Sequence, residues 1–313
     1  MRTFVLFLSI CAVGFFLLSC EKEFIPEVAN QPDQIVVEGY IEAGPSSLPP
    51  YIILTKTLPF FSAIGRETLN EIFLRDAQVS VEVDGESYEF EEICWTELDA
   101  AQRELLQQVL GQFGNIDDSV DFEFCLYIDP SFRLQGEVGK TYSLRIQTAE
   151  GQELRAQTSI PPHVGLDSLR FKVPAGEVPD TLKELRAFIS DPSPQIDFYR
   201  YFTSTNGSPF LAPLGSVADD KLFDGQSFEF PLPQAETFDA EVDEFFGLYR
   251  VGDTVDIKWA NIDQPHFDFW NTLEFNVFNQ GPFSNYTRIQ TNVEGGLGIW
   301  GGYSISFYTI VVE

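Results

Sequence analysis

The sequence predicts a mostly β protein with two β-sandwich, immunoglobulin-like domains and short helical insertions. From Ile35 onward, short apolar runs of alternating polarity are separated by turn signals, which is typical of strands. Hydrophobic residues are 44% of the chain and aromatic residues 14%, so a disordered chain is excluded. About 290 residues would remain after removal of an N-terminal signal, which is enough for two domains.

The N-terminal segment has the pattern of a bacterial lipoprotein signal. One positive charge precedes an apolar run, Thr3–Leu18, that is shorter than the roughly 20 residues of a membrane-spanning helix. The run ends in Leu17-Leu18-Ser19-Cys20, which resembles the lipobox. We therefore expect residues 1–19 to be a cleaved signal peptide, Cys20 to carry lipid, and residues 20–33 to form a tether. The alternative is a short membrane anchor.

Residues 34–160 are predicted to form the first domain. Two strands are expected at "IVVEGYIE" and "YIILTKTLPF", followed by hairpins that turn at Asp84-Gly85 and at Glu150-Gly151. Residues 98–114 break this pattern, because their leucines recur at helical spacing and Asp99 can cap the start. A helical insertion is therefore expected there.

Residues 161–313 are predicted to form the second domain, after a stiff joint at Pro161-Pro162. Strands are expected at "SLRFKV", "FYRYFTST", "QSFEFPL" and "DTVDIKWAN". A helix is expected near 263–276, where Pro265 suits the first turn. The chain then shows a glycine-rich loop and a last strand that begins at Tyr303.

Two of the four cysteines are candidates for a disulfide. Cys11 would leave with the signal peptide and Cys20 would carry lipid, so Cys94 and Cys125 remain. A bridge between them would close a loop of about 30 residues and contribute about 3–4 kcal/mol in an exported protein. The alternative is a pair of buried free thiols.

The chain shows no motif that predicts catalysis, a cofactor or a metal site. It has only two histidines, His163 and His266, and no cluster with the spacing of zinc ligands. The stretch with Asp219, Asp220 and Asp224 partly resembles a calcium loop, but it lacks a ligand at one offset and the closing glutamate. A β-turn before the next strand is the preferred interpretation. We predict no catalytic residue, no cofactor and no metal.

Aromatic side chains supply candidates for contact with a partner or ligand. These candidates are Phe245, Phe246, Trp300 and Tyr303. Asp-Ser/Thr-aliphatic triplets resemble the O-glycosylation sequon of Bacteroidota. The candidate acceptor hydroxyls in these triplets are Ser119, Ser168 and Thr181.

The net negative charge of the chain limits the kinds of partner that it can bind. Acidic residues number 48 and basic residues 19, which gives a formal net charge of −29. Such a surface repels phosphate backbones, so nucleic-acid binding is not expected. It also repels anionic headgroups, so membrane attachment is expected through the lipid anchor rather than a basic patch.

Motifs spread along the chain carry a resemblance to one family. After the lipobox come "IVVEGYI", "TKTLPFF", "AQVSVEVDGESYEF", "DDKLFDGQSFEF" and "TNVEGGLGIWGGYSIS", in that order. Together they are similar to a family of Bacteroidota outer-membrane lipoproteins that carry a domain of unknown function. Members are commonly encoded beside TonB-dependent receptors, which implies such a barrel or a related outer-membrane complex as partner. Glu21-Lys22-Glu23 resembles the sorting patch that directs lipoproteins to the cell surface.

The resemblance implies a non-enzymatic surface lipoprotein that serves a TonB-dependent barrel in ligand capture, uptake or assembly. It brings no catalytic residues to transfer. Two alternatives stay open. One is a free-standing module that binds glycans or peptides, and the other is a hydrolase with dispersed carboxylates.

Overall fold

The mostly β fold class is confirmed by a computed structural model of the chain. The structure describes residues 33–58, 66–100, 103, 124–192, 195–222, 224–236, 245–279 and 287–313. The predicted signal peptide and nearly all of the tether lie outside the described residues, as does most of the helical insertion at 98–114. In that insertion the amide of Arg103 donates to the carbonyl of Asp99, at 2.9 Å. The immunoglobulin-like arrangement stays a prediction.

Within the described residues the chain forms sixteen strands. In chain order they are β1 (Ile35–Ala43), β2 (Tyr51–Lys56), β3 (Gln78–Val83), β4 (Glu86–Cys94), β5 (Cys125–Ile128), β6 (Thr141–Gln147), β7 (Glu153–Ser159), β8 (Ser168–Lys172), β9 (Leu182–Ser190), β10 (Phe198–Thr205), β11 (Val217–Asp219), β12 (Ser227–Pro231), β13 (Tyr249–Arg250), β14 (Thr254–Ile262), β15 (Val293–Glu294) and β16 (Leu297–Val311). The described helices are α1 (Arg66–Ile72), a 3₁₀ turn (Trp95–Glu97) and α2 (Gln264–Phe278).

Twelve of these strands form one large sheet. Their order is β11-β10-β14-β16-β1-β2-β5-β4-β3-β6-β7-β15, and a smaller sheet contains β12, β9, β13 and β8. Both predicted hairpins are present as β3–β4 and β6–β7. At the first, Asp84 and Gly85 both have positive φ, as a two-residue hairpin turn of type I′ requires.

The last strand, β16, pairs with strands from both predicted domains. Its residues 297–304 run parallel to β1, and residues 304–311 run antiparallel to β14. The boundary predicted at residue 160 falls between β7 and β8, and the division into two domains stays a prediction. Asp33–Glu313 nevertheless forms one compact unit.

The two faces of the central strands contact different cores. On β1, Val37 and Ile41 point into a core that they share with β3, β6 and β7, whereas Tyr40 points to the opposite face. On β10, Tyr199 and Tyr201 point into a core beneath the small sheet. The face that carries Tyr40 is continuous across β2, β1, β16, β14 and β10, and α2 covers part of it. This α2 core, as we call it, therefore joins residues from both sides of the predicted boundary.

Helix α2 lies where the sequence predicts it, and its start has a clear cause. The carboxylate of Asp263 accepts a hydrogen bond from the amide of His266, at 3.1 Å, and Pro265 occupies the first turn. The second carboxylate oxygen of Asp263 accepts from the amide of Ser159 and the hydroxyl of Thr158, at 2.8 and 3.0 Å. The cap therefore also attaches α2 to β7.

The glycine-rich segment before Tyr303 is strand, so its prediction as a loop is wrong. Residues 297–302 pair with β1, and the glycines are needed because both faces are packed. A Cβ on Gly301 would lie 2.5 Å from the His266 ring, and one on Gly302 would lie 2.9 Å from Ile160. Close approach of neighbours, rather than a turn, explains these glycines.

Replacement of Gly301 with alanine tests this packing. The His266 ring packs against Tyr40 and Tyr303, so it has no room to move away from an added methyl group. The substitution should therefore lower the free energy of unfolding by about 2–3 kcal/mol, as overpacking does. Urea denaturation measures the change. In a His266→Ala background the cost should fall below about 1 kcal/mol, because the opposing ring is gone.

Gly151→Ala is the matched control. Gly151 has a φ of +86°, and a Cβ added to it would meet no atom within 4 Å, so this change reports backbone strain without overlap. We expect a cost of about 1 kcal/mol that His266→Ala does not alter. Equal costs of Gly301→Ala in both backgrounds would contradict the contact with His266.

Candidate functional site

Two of the four aromatic candidates are core residues. Trp300 is 0% exposed and Tyr303 is 1% exposed, so the prediction that they contact a partner or ligand is wrong. Trp300 packs in the core shared by β1 and β6, and its indole N–H donates to the carbonyl of Tyr142, at 3.1 Å. On sequence grounds Trp300 is expected in a glycine-rich loop and Tyr303 at the start of the following strand, whereas both lie within the buried strand β16.

Phe245 and Phe246 keep the exposure that a contact residue needs. Both are partly buried in a turn just before β13, and the amide of Leu248 donates to the carbonyl of Phe245, at 3.1 Å. Residues 237–244, which precede them, lie outside the described residues. Contact of this turn with a partner stays a prediction.

The predicted modification sites divide into exposed and undescribed ones. Ser168 at the start of β8 and Thr181 just before β9 are both exposed. Cys20 and Ser119 lie outside the described residues. O-glycosylation and lipidation stay predictions.

Cys94 and Cys125 form a disulfide in the structure. They are register partners on the antiparallel strands β4 and β5, and both are buried. The bridge closes a separation of 31 residues that contains the predicted helical insertion.

A network of buried charge lies in the α2 core. The Arg200 guanidinium donates to the hydroxyl of Tyr303 at 2.7 Å and lies 3.5 Å from the centroid of the Trp270 ring. Glu274, on α2, accepts from the amide of Ser216 at 2.8 Å. Burial raises the pKa of Glu274, whereas the charge of Arg200 and the bonds from Ser216 lower it. Strand β10, α2 and β16 are thus joined by polar contacts as well as by apolar packing.

A buried ion pair lies beside this network. The Lys258 ammonium on β14 bonds the carboxylate of Glu42 on β1, and the two side chains are 6% and 5% exposed. The amide of Leu48 donates to the second oxygen of Glu42, at 3.1 Å. Charged side chains are normally excluded from cores, so this pair needs both partners.

His266 is fully buried against aromatic rings. Its ring stacks on Tyr40 with centroids 5.8 Å apart and meets Tyr303 edge-on at 4.6 Å. Nδ1 lies 3.3 Å from the carbonyl oxygen of Gly302, and Nε2 has no hydrogen-bond partner among the residues described. Burial, and then the charge of Arg200, hold the pKa of His266 well below its usual range, so the ring is neutral.

Three buried aspartates meet where β9 ends, β10 begins and β11 ends. Asp191 follows β9, Asp197 precedes β10 and Asp220 follows β11, and one carboxylate oxygen from each lies within 4.8 Å of the others. We call these residues the Asp cluster. The Tyr199 hydroxyl donates to Asp191 at 3.1 Å, and the amide of Asp197 donates to Asp220 at 3.0 Å.

The Asp cluster has the electrostatics of crowded like charges. Burial raises the pKa of Asp220 to about 6, and its hydrogen bond with Asp191 adds to the rise. Burial, and then the negative charge of Asp191, also raise the pKa of Asp197. Three carboxylates at this spacing cannot all be ionised unless a proton or a cation offsets their charge.

Sequence reasoning found only one member of this cluster. Asp219, considered with Asp220 as part of a calcium loop, instead pairs with the Lys221 ammonium at 2.9 Å. Asp191 and Asp197 come from a different part of the chain, "SDPSPQIDFY". The available signal was an aspartate at each end of a connection between two strands, which is too common to single out.

A family model described as "Domain of unknown function (DUF4249)" matches residues 21–308. The chain belongs to this family. The search of curated proteins found no significant match to this chain. Within its described residues, no helix has both the length and the apolar character needed to cross a membrane.

The neutral state of His266 predicts how this family member responds to acid. The unfolded chain protonates the ring below about pH 6.5 and the folded chain does not, so the stability from neutral His266 is lost as pH falls below that value. The slope for this one group approaches about 1.4 kcal/mol per pH unit. Denaturant unfolding between pH 7.5 and pH 5 measures it.

His266→Asn is the comparison variant, because its side chain does not titrate in this range. We expect it to be less stable than the wild type at pH 7.5, and the difference between the two proteins to shrink as pH falls. Buried carboxylates such as Glu274 contribute to both proteins and cancel in this difference. A difference that stays constant from pH 7.5 to pH 5 would show that His266 does not carry the acid response.

Proposed function

We propose that this protein is a non-enzymatic lipoprotein of the outer membrane, facing the cell surface, and an accessory subunit of a TonB-dependent barrel or a related outer-membrane complex. Its role there is ligand capture, uptake or assembly. The observation that carries the proposal is the position of the lipobox. The family match begins at residue 21, directly after Cys20. A mature chain that starts at Cys20 therefore consists almost entirely of the family domain.

The spacing of the anchor and the first strand supports this role. Fourteen residues separate Cys20 from Ile35, the first residue of β1. Such a segment can extend at most about 50 Å. A barrel in the same membrane lies within the reach of a domain held by such a tether.

The surroundings of both histidines support a non-enzymatic role. His266 is enclosed by Tyr40 and Tyr303, where no substrate can reach it. Nδ1 of His163 lies 3.3 Å from the carbonyl oxygen of Ser304, a structural contact at the joint before β8.

Each alternative function has one structural observation in its favour. For a glycan- or peptide-binding module, it is a pair of open polar grooves of about 280 and 310 Å³ along β6 and β7, which share Arg145 and Arg155. For a hydrolase, it is the Asp cluster, because an acid with a pKa of about 6 resembles a catalytic carboxyl group. The cluster's side chains are 0–8% exposed, which closes them to any polymeric substrate.

The direct test compares membranes from cells that express the wild type, Cys20→Ser and Cys11→Ser. Wild type and Cys11→Ser should fractionate with the outer membrane, and affinity purification after mild solubilisation should recover a β-barrel protein with each. Cys20→Ser should leave the membrane fraction, because its lipid attachment site is lost.

Retention of Cys20→Ser in the outer membrane would contradict lipid anchoring. If the wild type is anchored but brings down no barrel, the accessory role fails and the free-standing binding module becomes the better account. Binding of the soluble chain to a glycan or peptide array would support that second account.

A further inference from the structure

One oxygen of the Asp cluster is buried without a partner. Asp197 is 5% exposed, and its Oδ2 makes no hydrogen bond within the described part of the chain, whereas its Oδ1 lies 3.3 Å from Nε2 of Gln195. Neighbouring oxygens are better satisfied. The two carboxylate oxygens of Asp191 accept from the Tyr199 hydroxyl and from the amide of Gly225, at 3.1 and 2.7 Å. A buried carboxylate oxygen that lacks a donor is costly, and coordination to a cation would offset that cost.

We propose that Asp191, Asp197 and Asp220 bind a Ca²⁺ ion. All three donors are carboxylate oxygens, which hard divalent cations prefer. Two oxygens on one Ca²⁺, each about 2.4 Å from the metal, lie no more than about 4.8 Å apart. The three donors of the cluster satisfy this limit.

The surroundings favour Ca²⁺ over Mg²⁺. Ca²⁺ accepts six to eight oxygens in flexible geometry, whereas Mg²⁺ requires a near-ideal octahedron. Gln195 and Ile196 beside the cluster are exposed, so any water that completes the shell would enter past these residues. Two chain segments supply the protein ligands, the β9–β10 connection and the segment directly after β11, and such a set suits a flexible shell.

The ion would connect the two sheets. Asp191 directly follows β9 of the small sheet, whereas Asp197 and Asp220 border β10 and β11 of the large sheet. Ca²⁺ would therefore stabilise the packing of one sheet on the other. This inference departs from the sequence-based prediction of no metal, and it does not depend on the proposed membrane role.

A second cluster of potential metal ligands is not a metal site. Glu92, Cys94 and Cys125 lie together, but both thiols are consumed in the disulfide.

The test measures binding of Ca²⁺ to the purified full chain in detergent, after removal of metal with a chelator. Calorimetric titration should give one Ca²⁺ per chain, and saturating Ca²⁺ should raise Tm by several degrees because the ion binds only the folded state. Tb³⁺ in place of Ca²⁺ should show luminescence sensitised by Tyr199, whose hydroxyl contacts Asp191.

Asp197→Asn and Asp220→Asn are the test variants, and Asp219→Asn, at the residue directly before Asp220, is the matched control. The first two should weaken Ca²⁺ binding by about tenfold or more, whereas Asp219→Asn should stay within about twofold of the wild type. Without metal, the test variants should be as stable as the wild type or more so, because each relieves like-charge repulsion.

The proposal would be overturned by no saturable Ca²⁺ binding to the folded wild type, by unchanged affinity in both test variants, or by tighter binding of Mg²⁺ than of Ca²⁺. Loss of binding in Asp219→Asn would also contradict it, because that side chain pairs with Lys221 outside the cluster.

Discussion

The pairing of β16 with both β1 and β14 is the constraint on which the rest of the structure depends. The 15-residue strand β16 runs parallel to β1 and antiparallel to β14. It therefore holds strands from before residue 160 and strands from after it in one sheet. Parallel pairing of residues about 260 positions apart carries a large loop-closure entropy, which slows folding. The close packing at Gly301 and Gly302 arises because this part of β16 is covered on both faces, by His266 of α2 on one and by Ile160 on the other.

Burial of both faces of the central strands also explains the charged side chains in the α2 core. Tyr40 and Glu42 lie on the face of β1 that a simple sandwich would leave to solvent, but here both are buried, Tyr40 against His266 of α2 and Glu42 against Lys258 of β14. Removal of one partner would leave an uncompensated buried charge, at a cost of about 3–5 kcal/mol, although an apolar pair of similar volume could be tolerated. We infer that the ion pair and the Arg200 contacts set the register of the α2 core, because their donors and acceptors meet in only one arrangement.

The sequence predicted the features whose signals are local. The hairpin at Asp84-Gly85 and the capped start of α2 were predicted because turn and cap residues act within a few positions. Strand β9 was missed although Leu185, Ala187 and Ile189 alternate in it, so its signal was present. The glycine-rich start of β16 was misinterpreted because glycine marks both turns and close packing, and only the tertiary structure distinguishes them. The Asp cluster was beyond local reasoning, since Asp191 and Asp220 meet across two sheets.

Native-state hydrogen exchange tests the coupling through β16 most directly. The measurement compares amides of β6, on one side of the predicted boundary, with amides of β10, on the other. Because both groups of strands depend on β16 and the α2 core, the most protected amides of β6 and β10 should share one opening free energy and one denaturant dependence. If the amides of β10 open with a lower free energy while those of β6 stay protected, or the reverse, the chain consists of two independently folded domains and the coupling through β16 is contradicted.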